Sequence, residues 1–294
     1  MKKLIFFGNY FYGLCVVFLS IEAVLQQKLA LPPITYFAFV FCLTILYYTK
    51  AYISETVNSL SNERTIWYVS HKNQIVNSQI YVTVFSAVLA VLLLPNILEG
   101  LKNLSLKDYT LIAIFPIVGL LYYGFTEKFS LRSTHWLKPF IIGFVWSGLV
   151  TLAPLFYFQL QDNTHLNIDF YSGLLFIKNL MFIAVLSIMF DIKDYATDYN
   201  QQLKTFIVSF GLRKTIFFIL IPLTVLGFIS FLYFAAHYSF SLQRILFNAI
   251  PFISLIVVAY SMHQRRSIFY YLFIIDGLMI VKALCGIFAA KYFS

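Results

Sequence analysis

Asp191, Asp194 and Asp198 stand in the stretch FDIKDYATDYN, directly after the apolar run from Tyr171 to Phe190. Charged residues make up only 11% of the 294-residue chain, so three of its twelve acidic side chains within eight positions need a cause. On a helix, positions i, i+3 and i+7 lie within roughly 60° of one another, which aligns the three carboxylates in a stripe about 10 Å long. Like charges this close raise one another's pKa values. The C-terminal end of a helix already carries partial negative charge, so the placement is doubly unfavourable. A divalent cation relieves both costs, and Mg²⁺ commonly takes one or two carboxylates together with substrate phosphates. The simpler alternative is a solvated helix end. Lys193, Lys204, Arg213 and Lys214 follow closely and could hold phosphate oxygens, although cytoplasmic loops are basic in any case.

The elements that must position these groups are apolar throughout. The chain is 61% hydrophobic, and runs such as ITYFAFVFCLTILYY show no alternation. Segments of about 20 apolar residues suit helices crossing roughly 30 Å of hydrocarbon, whereas barrel strands would alternate. The expected fold is therefore all-α, a single polytopic membrane bundle over residues 1–294. Nine spans are predicted, at 4–24, 34–54, 78–96, 109–125, 139–158, 171–190, 215–236, 245–262 and 269–290. The start, Met1-Lys2-Lys3 followed by an apolar run, is signal-like, but it has no clear small-x-small cleavage site and reads as a retained first helix. Cys15, Cys42 and Cys285 fall inside apolar segments and read as small hydrophobic residues.

With a cytoplasmic N-terminus, fourteen of the 21 Lys and Arg residues fall on the cytoplasmic side and five on the opposite side. That bias is the positive-inside pattern. Topology thus accounts for the net charge of +9 without a nucleic-acid partner. The polar stretches 51–77, 126–138 and 191–214 share the cytoplasmic face, where chemistry is expected.

The stretch DIKDYATDYNQQLKTFIVSFG resembles the second aspartate-rich motif of the UbiA-type intramembrane prenyltransferases. Asp191, Asp194, Asp198, Lys204, Thr205 and Gly211 match that motif in order and spacing. Its place after the sixth of nine apolar segments matches too. The resemblance covers the whole chain as architecture and about twenty residues as a specific motif. It implies a helical bundle around a lipid-accessible cavity, in which two aspartate motifs hold Mg²⁺ and a prenyl diphosphate donor. Diphosphate departs, and a lipophilic acceptor, aromatic or other, attacks the allylic cation. By the same resemblance Asp191, Asp194 and Asp198 are metal ligands and catalytic groups, and Lys204 is a diphosphate contact. The membrane lipid is the surrounding medium, and the abundant Phe and Tyr residues could line a pocket for the prenyl tail.

The first motif departs from the family pattern. Aligned on Asn62, the expected Asn and two Asp positions carry Ala51, Glu55 and Ser59. Three readings stay open. Glu55 could act as the single anionic metal ligand, helped by Asn58 and Asn62. Alternatively, the diphosphate geometry is altered, with Arg64 contacting phosphate directly. In the third, transfer has been lost and the fold serves otherwise. A further family feature, Tyr then Lys after the fourth helix, has a loose counterpart in Tyr123 and Lys128. His71, His135 and His263 read as interface residues.

The rival classes are a small-molecule or lipid transporter and a non-catalytic scaffold. Intramembrane ionisable groups are functional candidates, and Lys178, Asp276 and Lys282 qualify. At about 1.5 Å per residue, both lysines lie roughly 20 Å from the cytoplasmic ends of their helices and Asp276 only about 10 Å. A level Lys178–Asp276 pair is therefore not expected, and the lysines are expected to snorkel outward. No repeat symmetry of the transporter kind is visible. The DGxxAR pattern of the CDP-alcohol phosphotransferases is absent.

Overall fold

A computed structural model describes residues 2–53, 63–123, 134, 136–200, 202, 204–262 and 267–293, and among these there is no strand. The helices are α1 (Lys2–Phe7), α2 (Tyr10–Gln26), α3 (Ile34–Ile53), α4 (Glu63–Ser70), α5 (Lys72–Lys102) and α6 (Leu106–Tyr123). They continue as α7 (Lys138–Gln161), α8 (Phe170–Asn200), α9 (Phe206–Phe210), α10 (Leu212–His237), α11 (Leu242–Ser261) and α12 (Ile268–Tyr292). Among the described residues six helices are long and apolar enough to cross a membrane, namely α5, α7, α8, α10, α11 and α12. Helices α2, α3 and α6 coincide with the other three predicted spans. The chain is an integral membrane bundle. Its outward apolar side chains, such as Val91, Leu92, Phe218, Tyr233 and Val257, are well exposed, as lipid contact requires.

The first predicted span is broken. Asn9 sits in the left-handed region (φ 64°), separating α1 from α2. Its side chain explains why the break persists. The Asn9 amide donates to Thr49 Oγ1 (3.0 Å) and to the Tyr68 hydroxyl (3.1 Å), and its carbonyl oxygen accepts from Arg64. Tyr68 in turn donates to the Phe7 carbonyl at 2.8 Å. Buried polar partners thus satisfy backbone and side-chain groups that an unbroken helix would have handled alone.

The main helices close a ring in which α7 packs on α8, α8 on α10, and α10 on α11. From there α11 packs on α12, α12 on α2, α2 on α3, α3 on α5, and α5 returns to the second half of α7. Helix α6 docks on α7. Bare backbones make the closest approaches. A Cβ at Gly100 on α5 would lie 2.1 Å from the Leu160 carbonyl oxygen of α7. Small residues permit such approach in lipid, where packing replaces the hydrophobic effect as the driving force. Gly100→Ala is therefore expected to force α5 from α7, at a cost of about 1–3 kcal/mol. Thermal unfolding in detergent should show a lowered midpoint, and an unchanged midpoint would contradict the close approach.

Lys178 and Lys282 do not snorkel. Both are almost fully buried and meet Glu22 of α2, with Lys178 Nζ 2.8 Å from Glu22 Oε1 and Lys282 Nζ on Glu22 Oε2. Lys178 also donates to Gln26 Oε1 at 2.6 Å, while Gln26 Nε2 donates to Glu22 and to Asn248 Oδ1 (2.8 Å). The equal depth of the two lysines is what lets one carboxylate bind both. Outward extension fails because an interior partner at the same level satisfies the charge. Lys178 makes no pair with Asp276, in line with the depth difference.

Candidate active site

Between α2, α3, α6, α7, α8 and α12 lies a cavity of about 960 Å³, at the upper end of the roughly 300–1,000 Å³ usual for small-molecule sites. Its lining runs along α7 from Lys138 to Leu160, a rise of about 33 Å at 1.5 Å per residue. The walls are apolar and aromatic, with Tyr12, Tyr36, Tyr48, Phe115, Trp146 and Tyr157 among them. Apart from Asp276, which lies deeper, the charged lining groups gather at one end.

That end is built by α8. Continuing the helix ten residues past Phe190 carries Asp191 and Asp194 to the cavity mouth and Asp198 two turns beyond Asp191. Asp191 is buried and pairs with Lys138 Nζ at 2.7 Å. Asp194 is about half exposed and lies 3.0 Å from Lys193 Nζ, the neighbouring side chain. Asp198 is half-buried, lies outside the apolar span and does not line the cavity. Burial, and then the charges of Asp191 and Asp194, push its carboxyl up to about 6, against the pull of Lys138 and Lys193. The mutual repulsion expected of the stripe is therefore present.

Lys138 and Lys193 line the mouth, and Lys204 does not, being exposed beyond the end of α8. Lys138 had counted only as a topological charge. Its position at the start of α7, on the same face of the bundle as the aspartates, was the signal that could have singled it out.

The other matched motif residues have local structural work. Thr205 caps α9, its hydroxyl accepting from the Val208 amide at 3.4 Å. Gly211 adopts φ 79°, which side-chain-bearing residues rarely tolerate, and so turns the chain from α9 into α10.

Arg64 reaches the cavity wall. Its guanidinium is buried over the Tyr52 ring (3.9 Å to the centroid) and donates to the Tyr52 hydroxyl (2.9 Å), the Phe7 carbonyl (3.2 Å) and Asn9. These bonds fasten the α1–α2 break to α4. Glu55, Asn58, Ser59, Asn62 and Lys128, with His135 and His263, lie outside the described residues. Ala51 lies in the last turn of α3, and Tyr122, beside Tyr123, lines the cavity.

The donor set at the mouth is oxygen-only, which suits a hard cation. Among the described residues no three His, Cys, Asp or Glu side chains converge on a metal position. Two carboxylates at an open mouth fit an ion that brings waters and phosphate oxygens with it, as Mg²⁺ does, and would not make a closed protein cage.

The same helical arrangement occurs in a solved structure of a digeranylgeranylglyceryl phosphate synthase in membranes. The TM-score is 0.57, at 14% identity over 99% of this chain and 99% of that one. At this identity the likeness establishes the fold alone. No protein-family model matches the sequence. No curated protein matches it either.

Proposed function

We propose that the chain is a UbiA-type membrane prenyltransferase, moving an isoprenyl group from a prenyl diphosphate to a lipophilic acceptor. The observation that carries this reading is the membrane-length apolar cavity with Asp191, Asp194, Lys138 and Lys193 at one end. A prenyl diphosphate has the same division, a hydrocarbon tail and a charged head. The synthase that shares the fold also supports prenyl transfer. The Lys and Arg distribution supports a cytoplasmic N-terminus and mouth, and a single domain over 1–294 is part of the same reading.

On this reading, Asp191 and Asp194 hold Mg²⁺, with Asp198 beside them and Glu55 as the first-motif ligand. Bound there, the metal would neutralise charge developing on the departing diphosphate. Lys138 and Lys193 act on the same oxygens as fixed cations, preorganised where negative charge appears. The apolar walls hold the tail and keep water from the allylic cation. Aromatic faces such as Trp146 and Tyr48 offer it electrostatic support. The Glu22–Lys178–Lys282 cluster does not line the cavity, so it gives a transport path no footing there.

The test is purified protein in lipid nanodiscs with Mg²⁺, a series of prenyl diphosphates and a membrane lipid extract. Pyrophosphate release with a prenylated product is the expected result. Substrate movement across the membrane with no pyrophosphate released would overturn it.

A further inference from the structure

Asp276 has no place in the site above. It follows the π-helical turn Tyr271–Ile275 of α12, is 3% exposed and lines the cavity. The Tyr271 ring lies 6.0 Å from that of Phe190, so this turn is level with the residue preceding Asp191. Asp276 is five residues further along α12, about 7.5 Å deeper than the mouth.

Its Oδ2 atom is buried without a hydrogen-bond partner, and among the described residues the carboxyl makes no ion pair. The Tyr12 hydroxyl hydrogen-bonds the carboxyl, which still leaves Oδ2 open, and the other polar groups of this wall bond one another. Trp146 Nε1 donates to the Tyr48 hydroxyl at 2.6 Å, and the Tyr12 ring stacks on that of Tyr48 with centroids 4.8 Å apart. A buried acceptor left unmade is costly, so native structures rarely keep one without a reason. The missing component is a hydrogen-bond donor.

The prenyl diphosphate cannot supply it. Its charged head belongs with Asp191, Asp194, Lys138 and Lys193 at the mouth, and its tail is hydrocarbon. The donor must belong to the second substrate. We propose that Asp276 is the acceptor-recognition residue, its Oδ2 receiving the O–H of a hydroxyl-bearing acceptor held against the Tyr12–Tyr48–Trp146 wall. Naming that ligand as the acceptor rests on the transferase reading.

The test uses a matched probe pair, para-hexylphenol and its methyl ether para-hexylanisole, titrated by Trp fluorescence into the protein in nanodiscs without Mg²⁺ or diphosphate. The ratio of the two affinities is read in the wild type and in variants, so partitioning into lipid cancels. The wild type is expected to prefer the phenol by roughly two- to tenfold, the net span of one hydrogen bond. Asp276→Leu should lose that preference. Asp276→Asn, which keeps the shape and exchanges one acceptor oxygen for a donor, should cut it and decides the matter if the leucine variant fails to fold. An equal ratio in wild type and variant, or no preference in the wild type, overturns the proposal. A protein that keeps the preference but releases no pyrophosphate overturns the transferase reading and leaves Asp276 as a hydroxyl site.

Discussion

Replacing Asp191 or Asp194 by Asn is expected to lower pyrophosphate release by roughly 10²–10³-fold, the scale on which single groups stabilising developing charge are felt. The two variants differ in a way that separates chemistry from folding. Asp191 is buried against Lys138 at 2.7 Å, so its neutralisation also weakens the pairing of a partly buried cation. Asp194 is half exposed, and its contact with Lys193 is of the solvated kind that contributes little to stability. Asp194→Asn should therefore leave the stability within about 0.5 kcal/mol of wild type while removing most of the turnover. Steady-state kinetics alongside thermal unfolding provides the check. A variant that unfolds early yet turns over normally at low temperature would assign the aspartates a structural role.

Loss of the Glu22 carboxylate is expected to be the most damaging change to stability. Glu22→Leu leaves Lys178 and Lys282, both nearly fully buried, facing each other with no counter-charge. Breaking a buried ion pair by removing one partner costs about 3–5 kcal/mol. The triple replacement Glu22→Leu, Lys178→Met, Lys282→Met removes every charge at once and should recover much of that loss, since apolar substitutes for buried ion pairs are often neutral or better. Gly286 sharpens the argument, because a Cβ there would lie 2.5 Å from Glu22 Cγ. The helix α12 backbone is thus shaped around this carboxylate. Unfolding midpoints in detergent measure both variants, and a stable single variant would contradict the pairing.

Asp191, Asp194 and Asp198 were legible because their relation is local, set by the period of one helix. The spans were legible because each is defined by its own composition. The level lysines were legible as depths, but the group that holds them was not. Glu22 belongs to a helix 156 residues away from Lys178 in sequence, and only the ring closure of α2 on α12 and α8 brings it in. A lone Glu inside the apolar run FLSIEAVL, four residues before Gln26, was the available signal. Arg64 shows the converse. Its type and place invited a phosphate role and it does reach the cavity wall, but that Tyr52, Phe7 and Asn9 hold its guanidinium across three helices was not legible. Lys204 matched the motif but lies off the cavity, and Lys138, from another helix, stands at the mouth. Asp276 was noted only as a charge at the wrong depth for Lys178, and its open acceptor atom became visible once the cavity had walls.

The most direct test of the central claim is the affinity of an unreactive prenyl thiolodiphosphate for the protein in nanodiscs, with and without Mg²⁺, in the wild type and in an Asp191→Asn, Asp194→Asn double variant. The account predicts binding tightened by Mg²⁺ about a hundredfold in the wild type, the outcome of two carboxylates sharing the ion with phosphate oxygens, and no such gain in the variant. Equal affinity with and without the metal, or an undiminished metal effect after both carboxylates are neutralised, would contradict it.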